Sequence, residues 1–323
     1  MIPDLYCYKK RLPMSKSWMK IAASAAALVC VAAAQMPQIE TSAKELRPAV
    51  TVPFFALDGH GKPTSAITQI DVSVLDNKTQ PQWIVAVQAA RAFPLRLGVL
   101  IDTSNSERTS GMYWSGLQAT WEFMRQELKA PEDRIFIVTF GATPDGTGLM
   151  NRDELLKFKP DLVPGGGTAL FDAIYFACSE RLQTDLTQPA RRVLVVLSDG
   201  EDNLSYVNRD EAIAAAQKAG AVIFVINTRE NFPGFVDNSR LQQFADKTGG
   251  SAFVHLHRTD LPKAFATISE QIESMYALTF VPSGFGKPGR YHSLELKVTS
   301  DKKVKLRAPK GYYAPAGAQF TRP

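Results

Sequence analysis

The chain of 323 residues has room for about two domains, and 45% hydrophobic against 21% charged residues is a globular composition. The formal net charge of +5 is concentrated at the start, where Lys9, Lys10, Arg11, Lys16 and Lys20 stand against Asp4 alone. The rest is about neutral, which excludes a broad basic footprint for nucleic acid.

Residues 1–34 read as a secretory signal peptide. In Met14 to Gln35, two lysines precede an Ala-rich apolar run, and Ala32-Ala33-Ala34 supplies small residues for cleavage near Ala34/Gln35. That run is about 14 residues, short of the roughly 20 that span a membrane; an uncleaved N-terminal anchor is the alternative. Met1 and Met14 are both candidate starts. Val29 and Ala27 fit poorly with lipid attachment at Cys30. With Cys7 and Cys30 in the leader, the mature chain keeps only Cys178, so it has no internal disulfide and no thiol metal cluster. Cys178 falls in an apolar helical pattern and is expected to be a buried small hydrophobe. The expected location is secreted or periplasmic.

Residues 35–46 are polar and aperiodic, a linker. An N-terminal β segment over 47–92 follows, with strands at Ala49–Leu57, Ile70–Leu75 and Trp83–Ala89 and turn residues between them. From 93 to 275 the pattern alternates. Strands are expected at Leu95–Asp102, Arg134–Phe140, Arg192–Ser198, Ala221–Asn227 and Ser251–Leu256. The helices expected are Gly111–Leu128, Ala169–Leu182, Arg209–Ala219, Ser239–Thr248 and Leu261–Ser274. Near-continuous apolar strands between helices predict an α/β fold with a doubly wound, mainly parallel sheet flanked by helices. Asn208 before Arg209-Asp210-Glu211, then Gly220 and Gly249-Gly250, mark helix ends. Trp114, Leu117, Trp121, Met124 and Leu128 recur at helical spacing and read as core. Strands return over 276–315, at Tyr276–Val281, Tyr291–Val298 and Lys303–Ala308, before a tail at 316–323. Neither β segment alone has enough strands for a stable core, so 276–315 is expected to pair with 47–92 in one small β domain.

The strand at Leu95 ends abruptly at Asp102, and only Thr103, Ser104, Asn105 and Ser106 follow. Asp102, Ser104 and Ser106 offer a carboxylate and two hydroxyls where α/β sheets collect ligands, at a strand's carboxyl end. Such donors suit a hard cation such as Mg²⁺, although the segment alone reads equally as a polar loop. A second apolar strand ends in Ser198-Asp199-Gly200, and Gly165-Gly166-Gly167-Thr168 leads into a helix that lets Thr168 present its hydroxyl.

Taken together, Asp102 to Ser106, Gly167-Thr168 and Ser198-Asp199-Gly200 resemble the three parts of the metal-ion-dependent adhesion site of von Willebrand factor type A (VWFA) domains. The resemblance covers about residues 93–275. The flanks, ending in Lys310-Gly311-Tyr312-Tyr313, are similar to those of a bacterial group of exported VWFA-related proteins. This resemblance implies that Ser104, Ser106 and Thr168 supply hydroxyl ligands and that Asp102 and Asp199 hold the ion, Mg²⁺ or Mn²⁺, directly or through water. It also implies one coordination position left open for an Asp or Glu carboxylate of a protein partner. Glu107-Arg108 departs from the Gly or Met of many relatives and is expected to alter the rim of the site. Asp172 is assigned a structural hydrogen-bonding role; Glu201 and Asp202 fit either the rim or a solvated surface.

His255 and His257 share a face of a predicted strand but lack a third ligand, so a structural or surface role is expected. His60 and His292 lie in or beside turns and read as surface residues. The chain has no G-x-S-x-G elbow, no P-loop and no G-x-G-x-x-G after the relevant strand. The expectation is therefore a non-enzymatic, exported binding protein. Two readings from other classes stay open: a metal-dependent hydrolase of phosphate or ester substrates, and a structural subunit of an envelope assembly with a vestigial site.

Overall fold

The computed structural model describes residues 49–315 except 65–66, 110–111, 161, 163–164, 184–185, 187–188, 230–237 and 300–302. The expected signal peptide, linker and tail lie outside the described residues. Among the described residues, no helix is long and apolar enough to cross a membrane.

Three strands come first: β1 (Val50–Leu57), β2 (Val72–Asp76) and β3 (Trp83–Ala89). β2 starts two residues later than expected because Gln69–Asp71 form a 3₁₀ turn, in which Asp71 accepts from both the backbone N–H and the hydroxyl of Thr68. The alternating part contains β4 (Leu95–Asp102), α1 (Asn105–Thr109), α2 (Tyr113–Glu127), β5 (Arg134–Phe140), β6 (Pro144–Gly146) and α3 (Arg152–Lys157). It continues with α4 (Leu170–Phe176), β7 (Arg191–Ser198), α5 (Arg209–Ala219), β8 (Val222–Asn227), α6 (Ser239–Thr248), β9 (Ala252–Phe253) and α7 (Leu261–Ser274). The chain closes with β10 (Tyr276–Val281), β11 (Tyr291–Val298), β12 (Lys305–Arg307) and β13 (Gly311–Tyr313).

The central sheet has the order β6-β5-β4-β7-β8-β9, parallel except for β6, which runs antiparallel to β5. Its strands are apolar on successive residues because helices cover both faces. Leu97, Val99, Ile101, Val193, Val195 and Leu197 pack toward α2 and α7, whereas Leu100, Leu194, Val196, Ile223 and Val225 pack toward α4, α5 and α6. β6 and α3 add to the expected elements. The Pro-Asp-Gly of β6 carries turn chemistry, and α3 is a short helix held by a reciprocal cap between Asn151 and Glu154. The helix expected over Ala169–Leu182 is α4 followed by a π-helical stretch, Ala177–Leu182.

The flanks build two antiparallel sheets, β12-β1-β10-β3 and β13-β11-β2, each combining strands from before and after the central sheet. β1 serves two cores through the two-residue period of a strand. Val50, Val52, Phe54 and Ala56 face the β core with Phe280, Leu294 and Tyr312. Phe55 and Leu57 face the helical side, where the Phe55 ring lies 6.1 Å from that of Phe224.

Several expectations are corrected. Trp114, placed in the core stripe, is 67% exposed, while Leu117, Met124 and Leu128 of the same stripe are buried. The strand expected at Ser251–Leu256 shrinks to Ala252–Phe253, because His255 adopts a left-handed backbone with φ 57°. His255 and His257 therefore share no strand face; the ring of His255 meets Asn238, and the backbone N–H of His257 donates to Asp260. His292 is buried rather than exposed. Its inward position on β11 sets Nδ1 2.8 Å from Asp76 Oδ1 and Nε2 2.9 Å from the Phe285 carbonyl oxygen. The Tyr312 hydroxyl donates to the other Asp76 oxygen at 3.1 Å. A neighbouring turn says nothing about which sheet face a residue occupies. His60 is exposed, and Cys178 is fully buried.

Candidate metal site at the strand ends

β4 and β7 are neighbours in parallel register, with Ile101 opposite Leu197. Asp102 and the Ser198-Asp199 pair therefore leave the sheet side by side, an arrangement that follows from two apolar strands ending at the same level. Asp102 is clamped on both oxygens: Oδ1 accepts from the Ser104 backbone N–H at 2.9 Å and Oδ2 from the Ser198 hydroxyl at 2.6 Å. The hydroxyl oxygens of Ser104 and Ser106 lie 3.0 Å apart.

The loops around these residues are latched by backbone bonds. Thr103 donates to Phe140, Gly165 donates to Thr103, Asn105 donates to Gly166 and Ala169 donates to Gly141, all between 2.7 and 3.0 Å. A Cβ at Gly141 would come within 2.9 Å of the Gly165 carbonyl oxygen, so this approach requires glycine. Thr168, buried on the latched loop, sits two residues before α4 rather than capping it. Its backbone N–H donates to Asn203 Oδ1 at 2.9 Å, and its carbonyl oxygen accepts from Asn203 and Leu204. The start of α4 is held in the same way: Phe171 donates to Asp202, Asp172 donates to the Ser205 hydroxyl oxygen, and the Asp172 carboxylate accepts from Tyr206 and Val207. Asp172 thus has the structural role expected of it. Asp202 caps a helix rather than simply facing solvent. Gly200 turns the chain with φ 84°, where its missing side chain leaves room for Leu241.

Two residues outside the expected ligand set join the arrangement: Glu107, expected at the rim, and Arg229, which the sequence did not single out. Glu107 does not lie on the rim. It is 1% exposed, and its carboxylate, with those of Asp102 and Asp199, forms a cluster whose ligand atoms all lie within 4.8 Å of one another. Glu107 Oε1 accepts from the Thr228 hydroxyl, and Oε2 is buried with no hydrogen-bond partner among the described residues. Arg229 reaches in from the end of β8 and donates to Asp199 Oδ2 at 2.8 Å and to Glu201 Oε1 at 2.6 Å. A signal for both was present. Glu107 follows Ser106 in a helix that starts on top of the sheet, and Arg229 lies two residues beyond Asn227, which pairs with Ser198. The electrostatics follow from crowding. Burial raises the Glu107 carboxyl to about 8, and the Asp102 charge adds to the rise. Burial likewise raises Asp102 to about 6, against hydrogen bonds from Ser104 and Ser198 that favour the carboxylate.

A family model of the von Willebrand factor type A domain matches residues 97–270, more than half of the chain. The chain belongs to the VWFA family. No curated protein matches it. Among solved structures, it is similar to a von Willebrand factor type A protein from Catenulispora acidiphila, at 11% identity and a TM-score of 0.46, over 84% of this chain and 74% of that one. It is also similar to proximal thread matrix protein 1 from the mussel byssus, with a zinc-occupied MIDAS motif, at 18% identity and a TM-score of 0.46, over 59% of this chain and 48% of that one. A third similarity is to the PilB minor pilin of Streptococcus sanguinis, at 15% identity and a TM-score of 0.40, over 56% of this chain and 62% of that one. The VWFA chain therefore spans about half the length of the mussel structure.

Proposed function

We propose that this VWFA protein is exported and grips an acidic side chain of a protein partner through a divalent cation, Mg²⁺ or Mn²⁺. In this reading the cation is held by Asp102, Ser104, Ser106, Thr168 and Asp199. The observation that carries it is the buried pair of carboxylates, Asp102 and Asp199, at adjacent strand ends beside two hydroxyl oxygens 3.0 Å apart. Arg229 pairs with Asp199 but not with Asp102, whose buried carboxylate calls for a counter-charge, and a donor set of oxygens without thiol or imidazole suits a hard cation.

When bound, the cation supplies a Lewis-acidic position for an outside carboxylate. The protein's own residues do the rest. Ser198 and the Ser104 backbone orient Asp102, Asn203 holds the Thr168 backbone, and backbone bonds latch the loops that carry Ser104, Ser106 and Thr168. The leader at 1–34 supports export, with residues 93–275 as the binding domain carried on the segments 47–92 and 276–315. A binding role is favoured over catalysis because the segments 102–107, 165–168 and 198–202 contain no histidine, the commonest general base.

Calorimetry of the full chain with Mg²⁺ and Mn²⁺ tests the metal, and retention on a resin bearing glutamate side chains tests the partner chemistry. The expected result is cation binding that Asp102→Ala abolishes, together with retention that EDTA reverses. No cation binding, or binding unchanged in Asp102→Ala, overturns the proposal.

A further inference from the structure

We propose that Glu107 is a further ligand of this cation, giving the site a third carboxylate from the chain itself. The inference rests on the metal reading above and deepens it. Glu107 directly follows Ser106, and α1 turns its side chain inward to 1% exposure. Its ligand oxygen, with those of Asp102 and Asp199, belongs to the group that lies within 4.8 Å of one another.

Crowding alone does not make a ligand; the state of Glu107 Oε2 is the second observation. The Thr228 hydroxyl satisfies Oε1, whereas Oε2 is buried without a hydrogen-bond partner among the described residues. Leaving a buried carboxyl oxygen unpaired costs free energy. An apolar residue of similar size would avoid that cost. The Tyr113 hydroxyl is also buried without a partner among the described residues. Arg229 relieves the crowding on a different side, through Asp199 and Glu201. A cation held among the three carboxylates supplies the counter-charge for which the cluster gives Glu107 no other source among the described residues.

The chemistry sets the class of ion and its consequence. Three carboxylates and hydroxyls form an all-oxygen set of the kind that takes Mg²⁺, Ca²⁺ or Mn²⁺. Asp102, Asp199 and Glu107 together overbalance a divalent charge by one, and the Arg229 guanidinium offsets the excess. A site charged in this way retains its ion more tightly than one with two carboxylates, while the ion pulls less strongly on an outside carboxylate. Glu107 therefore shifts the balance of the site from partner capture toward ion retention.

The test is calorimetric titration of the full chain with Mn²⁺, comparing wild type, Glu107→Gln and Asp102→Asn. Glu107→Gln keeps the size of the side chain and an acceptor for Thr228 while removing the charge. It is expected to retain the wild-type circular dichroism spectrum and to bind Mn²⁺ at least tenfold more weakly. Wild-type affinity in Glu107→Gln, with weakened binding in Asp102→Asn, overturns this inference and leaves the metal reading standing. Absence of Mn²⁺ binding by the wild-type protein overturns both. Should Glu107→Gln fail to fold, Glu107→Asp, which keeps the charge but shortens the reach by one methylene, gives the same discrimination: wild-type affinity there overturns the inference.

Discussion

Replacing Asp102 by Asn should make the protein more stable when no cation is present, and insensitive to cation when it is. The Asp102 carboxyl, raised from 3.8 to about 6 by burial, ionises less readily in the folded chain than in the unfolded one. Its contribution to stability is therefore fully present below about pH 4 and is lost as the pH rises through 6. Asparagine does not titrate. The gap between variant and wild type should open between about pH 4 and 6 and stay constant above that range. The rise from 3.8 to about 6 corresponds to about 3 kcal/mol, an upper bound on the gain. Most of the local bonding survives, since an Asn oxygen still accepts from the Ser104 N–H and its amide can donate to the Ser198 hydroxyl oxygen. A net gain of about 2 kcal/mol corresponds to a Tm rise of about 4–8 °C for a domain of 150–250 residues. Thermal unfolding at pH 7 in EDTA and in excess Mg²⁺ measures both effects. A lower Tm for Asp102→Asn in EDTA, or an equal Mg²⁺-induced shift in both proteins, would refute the reasoning.

Two further outcomes probe the scaffold. In Gly98→Ala, at the centre of β4, the new Cβ would meet the Phe136 ring at 2.4 Å and a Leu194 methyl at 2.5 Å. Overpacking of this kind costs about 1–3 kcal/mol, so the urea midpoint should fall, and an unchanged midpoint contradicts the packing described for the sheet. Glu127, buried between α2 and α7, accepts from the Ser269 hydroxyl with Oε1, while Oε2 is unpaired among the described residues, and burial pushes its carboxyl upward. Glu127→Gln should therefore be more stable than wild type by about 1 kcal/mol at pH 7 and indistinguishable from it below the ordinary glutamate range. A variant that is less stable at pH 7 would show that the charge is compensated.

The elements read from the sequence most accurately are those buried on both sides. β4 and β5 have the residues expected of them, because a strand between two helical layers has no choice but to be apolar throughout. The helix over Arg209–Ala219 also starts and ends as expected, since Asn208 and Glu211 cap each other and Gly220 takes a left-handed conformation. Local chemistry and tertiary placement diverge at two residues. Trp114 fits a helical stripe by spacing, but the buried face of α2 runs through Tyr113, Leu117, Thr120 and Met124, and Trp114 falls outside it. His292 sits near a turn in sequence but on the buried face of β11, where Asp76 and Tyr312 meet it from strands β2 and β13. Those partners come from residues more than two hundred positions earlier and twenty positions later, a distance no local pattern spans.

The same division applies to the cluster at Leu95–Ser106. By itself, the sequence determined where apolar strands end and which oxygen-bearing side chains follow, because burial forces the one and the polar turn reveals the other. It thereby carried the family resemblance and the residue types Asp102, Ser104, Ser106, Thr168 and Asp199. Only the tertiary structure decided that Glu107 turns inward and that Arg229 arrives from the neighbouring strand β8 to pair with Asp199. The reason is geometric. Side chains at the ends of parallel strands become neighbours through sheet order, and the balance of buried charge in such a cluster depends on which of them the sheet brings side by side.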